Sequence, residues 1–240
     1  MKAYKFDKEL IEGVIVERQH SFIMIVDLNG KIERCYCPCM SSIGHIKLNG
    51  RPYLLYDHGE NTNRKTRYTV KAVSLNRPED KRKKWFGIDQ VESNRYIEHY
   101  LKQDAFPNML TIDNNEVLHE QTIGKSRLDF KVGDVYIENK TILRLDMKIP
   151  DYIETKPRGK AKLSNHFYKH LEELRESLKT HEKAILVGTF LYDNKNNLTE
   201  DSKEGKYSKV GEILSSGIET WQINFKITPK EVKLVSYFRV

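Results

Sequence analysis

Apolar and polar positions alternate in short runs over the first third of the chain. Residues 10–18, 22–28, 32–37, 52–57 and 67–75 each read as a strand rich in β-branched and aromatic side chains. Asn29-Gly30, between two of these runs, is a strong signal for a two-residue hairpin. Asn49-Gly50 parts a further short run, 45–48, from 52–57. Short strands at this spacing fit a small closed barrel such as an OB-fold, and an SH3-like barrel fits almost as well.

Downstream the period changes. Asp89-x-x-Glu92 has the spacing of a capping box and predicts a helix with Val91, Ile97, Tyr100 and Leu101 on its buried side. Residues 117–123, 127–132 and 135–140 read as consecutive strands. Ser164 is placed to cap a helix in which Phe167, Leu171, Leu174 and Leu178 recur at helical spacing. A buried strand over 184–192, a polar loop over 193–207, a short helix over 208–217 and strands over 221–227 and 232–238 complete the chain. The expected fold class is α/β (α+β overall): a small N-terminal β-barrel over 1–84, then a mixed domain over 85–240. The boundary rests on residues 74–84, which contain Pro78 and no apolar period.

Composition narrows the class. The 240 residues are 31% charged and 38% hydrophobic, yet 13 tyrosines, 9 phenylalanines and 2 tryptophans argue against disorder. The longest apolar run, 184–192, falls short of a membrane span, and the N-terminus lacks an apolar signal segment, so a soluble cytoplasmic protein is expected. Cys35, Cys37 and Cys39 describe no disulfide framework. Zinc would need a fourth ligand, His45 being nearest, and strand alternation is poor geometry for a cage, so structural or incidental cysteines are the favoured interpretation.

The net charge of +7 is unevenly placed. Residues 1–84 carry 17 Lys/Arg against 10 Asp/Glu, whereas 85–240 carry 24 of each. The basic part ends in Lys81-Arg82-Lys83-Lys84. This asymmetry points to a polyanion, nucleic acid before membrane, although the run alone also suits a solvated linker. A second basic stretch spans 140–170. His166 and His170 lie on one helix face but lack the acid of a His-Glu-x-x-His motif, so the expectation is that they are inert, with His170 still able to reach a phosphate. No phosphate-binding Gly-rich loop is present.

Gly133-Asp134 suits a two-residue turn, and register follows by arithmetic. Val132 should face Val135, Phe130 should face Ile137, Asp129 should face Glu138 and Arg127 should face Lys140. Opposed carboxylates repel, and a divalent cation compensates best, Mg²⁺ or Mn²⁺ being the natural choice for oxygen ligands. Lys140 could then position a water. An ordinary solvated face with Arg127 and Lys131 as counter-charges fits the same spacing.

Asp-x8-Glu-x-Lys on a hairpin, after a helix that bears an acid, is the layout of PD-(D/E)xK nucleases. The segments Trp85-Phe86-Gly87-Ile88-Asp89, Gly124-Lys125-Ser126-Arg127-Leu128-Asp129-Phe130, Tyr136-Ile137-Glu138-Asn139-Lys140 and Lys169-His170-Leu171-Glu172-Glu173-Leu174 occur in order. Together with Arg64-Lys65-Thr66-Arg67-Tyr68-Thr69, they resemble the sugar fermentation stimulation protein family over most of its length. That resemblance implies an OB-fold, a nuclease-like α/β domain and association with DNA. It implies Asp129 and Glu138 as metal ligands, Lys140 at the attacking water and Glu98 as the helix carboxylate. Arg64, Lys65, Arg67, Lys81, Arg82, Lys83 and Lys84 are the expected nucleic-acid contacts. Departures lie at Cys37-Pro38-Cys39-Met40-Ser41-Ser42-Ile43, at Gly159-Lys160-Ala161-Lys162 and at Asn139, which stands where the family carries an apolar residue.

A Mg²⁺-dependent DNA nuclease is therefore the first expectation. A DNA-binding regulator of sugar metabolism that keeps the shape without the chemistry is the second, with Tyr53, Tyr56 and Tyr68 as stacking candidates. A protein-interaction module is a weaker third. An oligomer of identical chains stays open.

Overall fold

The computed structural model describes residues 1–39, 43–60, 63–112, 116–157, 165–196, 212–213 and 215–240. Five strands form the barrel: β2 (Ile11–His20), β3 (Ile23–Leu28), β4 (Lys31–Tyr36), β5 (Pro52–Asp57) and β6 (Tyr68–Ser74). Their pairing runs β2–β3–β4–β6–β5 and returns to β2, with β4 and β6 parallel, so no edge is left between them. The β3–β4 hairpin turns on Asn29 at φ 56° and Gly30 at φ 90°, the left-handed pair that such a turn requires. Residues 45–48 do not form a strand. Gly44 and His45 are both left-handed, and only Ile46 bridges to Thr155. Instead Ile43, Ile46 and Leu48 join the barrel core beside Leu145 and Ile153.

The remaining strands build a mixed sheet. β8 (Val117–Ile123), β9 (Ser126–Val132) and β10 (Val135–Thr141) are antiparallel neighbours, and β11 (Lys183–Phe190) and β12 (Glu219–Ile227) follow in parallel. β13 (Glu231–Arg239) then runs antiparallel, and β1 (Tyr4–Lys5) pairs with it. The N-terminal strand thus belongs to this sheet and not to the barrel. β7 (Trp85–Gly87) pairs with β6 on one side and with β12 at Ile227 on the other, which joins barrel and sheet into one hydrogen-bonded surface.

A helix covers each face of the mixed sheet. Tyr96, Ile97, Tyr100 and Leu101 of α1 (Ser93–Leu101) pack on Ile185 and Val187 of β11. Phe167, Leu171 and Leu174 of α2 (Asn165–Ser177) pack with Ala184 and Leu186 on the other face. β11 is therefore buried on both sides, which is why its sequence is continuously apolar. The parallel β10–α2–β11 unit needs a crossover, and α2 supplies it. Val91 is a correction: it is 68% exposed, because α1 begins at Ser93 and the preceding turn is outside the helical period. Asp89 still acts at the helix start, accepting the Glu92 N–H at 3.2 Å. The expected cap at Ser164, residues 208–211 and 214 of the expected helix at 208–217, and residues 197–207 of the polar loop lie outside the described residues. The fold class expected from the sequence, a barrel followed by an α/β domain, is borne out. Among the described residues no helix is long and apolar enough to cross a membrane.

Candidate functional site

The hairpin turns at Gly133, whose φ of 55° meets the requirement for glycine there. Val132–Val135 and Phe130–Ile137 pair as the arithmetic predicts, and the ladder then stops. Asp129 and Glu138 are not joined by a ladder pair. Instead the Asp129 carboxylate takes the next free donor, the Asn139 N–H, at 2.7 Å. Across from it on β8, Glu120 is left-handed at φ 49°. Leu128 packs under α2 whereas Phe130 packs under α1, so the alternation of β9 breaks at Asp129. Arg127 does not face Lys140; it pairs with Thr122 and ion-pairs with Glu120 at 3.2 Å. Lys131 lies over the Tyr136 ring, so neither of the expected counter-charges relieves the carboxylates.

Asp129, Glu138 and Lys140 line one cleft of about 280 Å³, with Ser93, Asn94, Asn139 and His170 around them. Asp129 accepts the Asn94 amide at 2.7 Å on its other oxygen. Asn139 completes a polar lattice. Its amide donates to Asn94 Oδ1 and Ser93 Oγ, and its oxygen accepts the Thr189 hydroxyl. Ser93 in turn meets Thr141 at 2.6 Å. These bonds tie the start of α1 to β10 and β11 and fix Asp129 in orientation.

Glu138 is 5% exposed. Its Oε1 meets His170 Nδ1 at 2.6 Å, and its Oε2 is buried without a hydrogen-bond partner. Burial pushes the Glu138 carboxyl above its ordinary range; the His170 bond opposes this and the charge of Asp129 adds to it. Burial likewise raises Asp129, opposed by the Asn139 N–H and the Asn94 amide. The bond to Glu138 raises His170 against the effect of its own burial. Lys140 holds its ammonium 5.3 Å from the Phe167 ring centre. Among the described residues no three His, Cys, Asp or Glu side chains converge as a ready cage. The donors that do converge are hard oxygens, and one buried oxygen is unsatisfied.

Glu98 is not brought to this cleft. Its carboxylate pairs with Lys102 at 2.5 Å and His119 at 2.8 Å, which outweigh burial and hold it below the usual range. The position of α1 that reaches Asp129 is Asn94, one turn earlier. Thr141 and Thr189 gave no sequence signal beyond being polar in buried strands. His170, expected to be inert unless it faced a cleft, does face one.

The expected DNA contacts are scattered. Arg67 is engaged by Asp57 at 2.7 Å and Glu60 at 2.9 Å. Lys83 is half-buried, held by Glu12 at 2.9 Å and by the Asp80 carbonyl. Arg64 and Lys65 are exposed on the β5–β6 loop, while Lys81, Arg82 and Lys84 are exposed at the far end of β6. Seven strand residues separate the groups, roughly 20 Å at the usual rise. Tyr53 and Tyr68 are buried and unavailable for stacking; Tyr56 lines a cavity. Cys35, Cys37 and Cys39 are buried in the barrel core, and burial pushes the Cys35 thiol up to about 12.

A closed five-stranded barrel hydrogen-bonded to a mixed sheet with a helix on each face defines a two-part α/β protein of the OB-barrel type. Known relatives agree in extent and shape. A sugar fermentation stimulation protein homolog of Trichodesmium erythraeum is 26% identical over 243 residues, covering 96% of this chain and 90% of the relative. One from Clostridium perfringens is 25% identical over 243 residues, covering 97% of each. The structure of Pyrococcus furiosus SfsA in complex with Ca²⁺ matches with a TM-score of 0.70 at 18% identity, over 99% of this chain and 98% of that one; this is a likeness of fold. No family model matches the chain. Over most of its length the chain is similar to sugar fermentation stimulation proteins, the resemblance that the motifs led one to expect.

Proposed function

We propose that the protein is a divalent-metal-dependent DNA phosphodiesterase whose site is the Asp129–Glu138–Lys140 cleft. The observation that carries this is the unsatisfied, buried Oε2 of Glu138 beside a second carboxylate. A buried polar atom without a partner costs about 1–3 kcal/mol, more when charged, and a cation removes that cost. Asp129 and Glu138 would hold the ion, and their oxygens suit Mg²⁺ or Mn²⁺. The Pyrococcus furiosus relative is described with Ca²⁺, which shares this preference for oxygen. A divalent ion held there would polarise a phosphoryl oxygen and activate a water.

The chain's own groups do the rest. Asn94 and the Asn139 N–H orient Asp129, and His170 orients Glu138. Lys140 would orient the attacking water and offset charge developing on phosphorus. An adjoining cleft of about 460 Å³ shares Asp129, His166 and His170 and carries Lys125, Arg127 and Lys169. These exposed cations suit the DNA backbone as it leads to the carboxylates.

A non-catalytic DNA-binding regulator is the second reading. It is favoured by the fact that Asp129 already has a partner on each oxygen and Glu138 one on Oε1. Incubating purified protein with single-stranded and duplex DNA in Mg²⁺ or Mn²⁺ separates the two. The nuclease account expects cleavage by the parent, and a loss of roughly 10²-fold or more in Lys140→Ala, the scale of removing one electrostatic stabiliser. No cleavage by the parent, with DNA binding intact, supports the regulator.

A further inference from the structure

A larger cavity, about 650 Å³, lies where the barrel meets β1 and the turn into α1. Its size is that of a small-molecule site. Tyr4, Phe6, Tyr36 and Tyr56 line it. Behind them sits a buried ion pair: Lys71 Nζ is 2.7 Å from Asp89 Oδ2 and 3.5 Å from Glu92 Oε1. The acids of the lining are engaged. Asp7 accepts the Tyr56 hydroxyl, Asp89 and Glu92 hold Lys71, and Glu92 also holds Arg95. The cations at the edge are not. Lys5 and Arg64 have no carboxylate partner among the described residues, and Arg64 reaches only Thr69 Oγ1, at 3.4 Å.

Aromatic walls with two uncommitted cations fit a flat ring that carries a phosphate. The position of the cavity adds a second constraint. Asp89, Val91 and Glu92 line it, whereas Gln90, Ser93 and Asn94 line the carboxylate cleft. The turn into α1 and the first two residues of that helix are therefore a wall of both.

We infer that this cavity is a nucleotide site, which stacks one base against its tyrosines and binds the attached phosphate at Arg64 and Lys5. A base inside a duplex cannot enter such a pocket without leaving its stack, so the site selects single-stranded or frayed nucleic acid. The selection of a strand for cleavage rests on the nuclease reading; nucleotide binding itself does not.

The test uses the full chain without divalent metal. Deoxyadenosine 5′-monophosphate, deoxyadenosine and inorganic phosphate are titrated separately by calorimetry. The monophosphate should bind more tightly than either fragment. Arg64→Ala should weaken it by about ten-fold or more, the effect of a lost charge-assisted contact. Tyr56→Leu should weaken it by roughly five-fold or more through lost stacking, and Tyr56→Phe, which keeps the ring, should restore it. Thermal melts of each variant report folding. Asp129→Asn should bind the monophosphate as the parent does. A short single strand should outcompete its duplex, and Tyr56→Leu should lose that preference. Binding of phosphate as tight as of the nucleotide, an unaffected folded Arg64→Ala protein, or loss of nucleotide binding in Asp129→Asn would each overturn the inference. Nucleotide binding in a protein that cleaves nothing would overturn the nuclease reading and leave this site standing.

Discussion

Glu138 is a buried carboxylate with one oxygen on His170 and the other without a hydrogen-bond partner. Burial raises its pKa above the unfolded value near 4.3, so the fold disfavours the ionised form. That penalty is absent below the unfolded value and complete above the folded one. Metal-free Glu138→Gln should therefore melt above the parent at pH 7, and the gain should vanish as the pH falls toward about 4. His170 carries the opposite kind of group with the same direction of shift. Its raised pKa contributes stability below about 6.5, which is lost as pH climbs through the folded value. Melting curves across pH should show that alkaline loss in the parent and not in Glu138→Gln, where the charged partner is gone. A parent and variant with superimposable pH profiles would contradict this account of the pair.

At the scale of elements, the site depends on how α1 is anchored. Lys71 on β6 is 7% exposed and Asp89 in the turn is 3% exposed, so their ion pair is buried between barrel and helix. Removing one member leaves an uncompensated charge. Lys71→Met should cost about 3–5 kcal/mol in urea unfolding, whereas Lys71→Met with Asp89→Leu should recover most of it. The elements themselves differ in how far they were legible. The hairpin 126–141 could be read because Gly133-Asp134 fixes the turn and a period of two fixes the register. Its last step could not, since the switch from a ladder pair to the Asp129–Asn139 bond depends on α1 bringing Asn94 to the same carboxylate. Glu98 is the visible candidate on α1 because it is acidic, whereas the residue that reaches Asp129 is an uncharged amide one turn earlier, Asn94. β1, two residues long and paired with Glu231 and Val232, has no local signature at all.

For the whole molecule, charge and fold give different maps. Net charge concentrates before residue 85, yet the seven expected DNA contacts there divide between the two ends of β6, and Arg67 and Lys83 among them are paired with acids. The cations beside the carboxylates are Lys125, Arg127 and Lys169, in the part of the chain with no net charge. Composition could locate a polyanion partner only by sum, because adjacency in the cleft arises from the β9 and α2 packing. Replacing these three residues with Ala should therefore flatten the salt dependence of DNA binding, by roughly 0.7–0.9 in slope for each phosphate contact removed. Replacing Lys81, Arg82 and Lys84 should change it less. A larger slope change from the second set would return the main DNA contact to the barrel.

The central claim is that Asp129 and Glu138 hold a divalent cation, and a thermal melt against metal concentration tests it most directly. An ion bound only by the folded chain contributes about 2.7 kcal/mol at a hundred times its Kd, or roughly 5–10 °C in Tm for a chain of this size. The parent should show that rise with Mg²⁺, Mn²⁺ or Ca²⁺, and Asp129→Asn, which keeps the shape and removes a ligand charge, should not. An equal rise in both proteins, or none in the parent, would contradict the assignment.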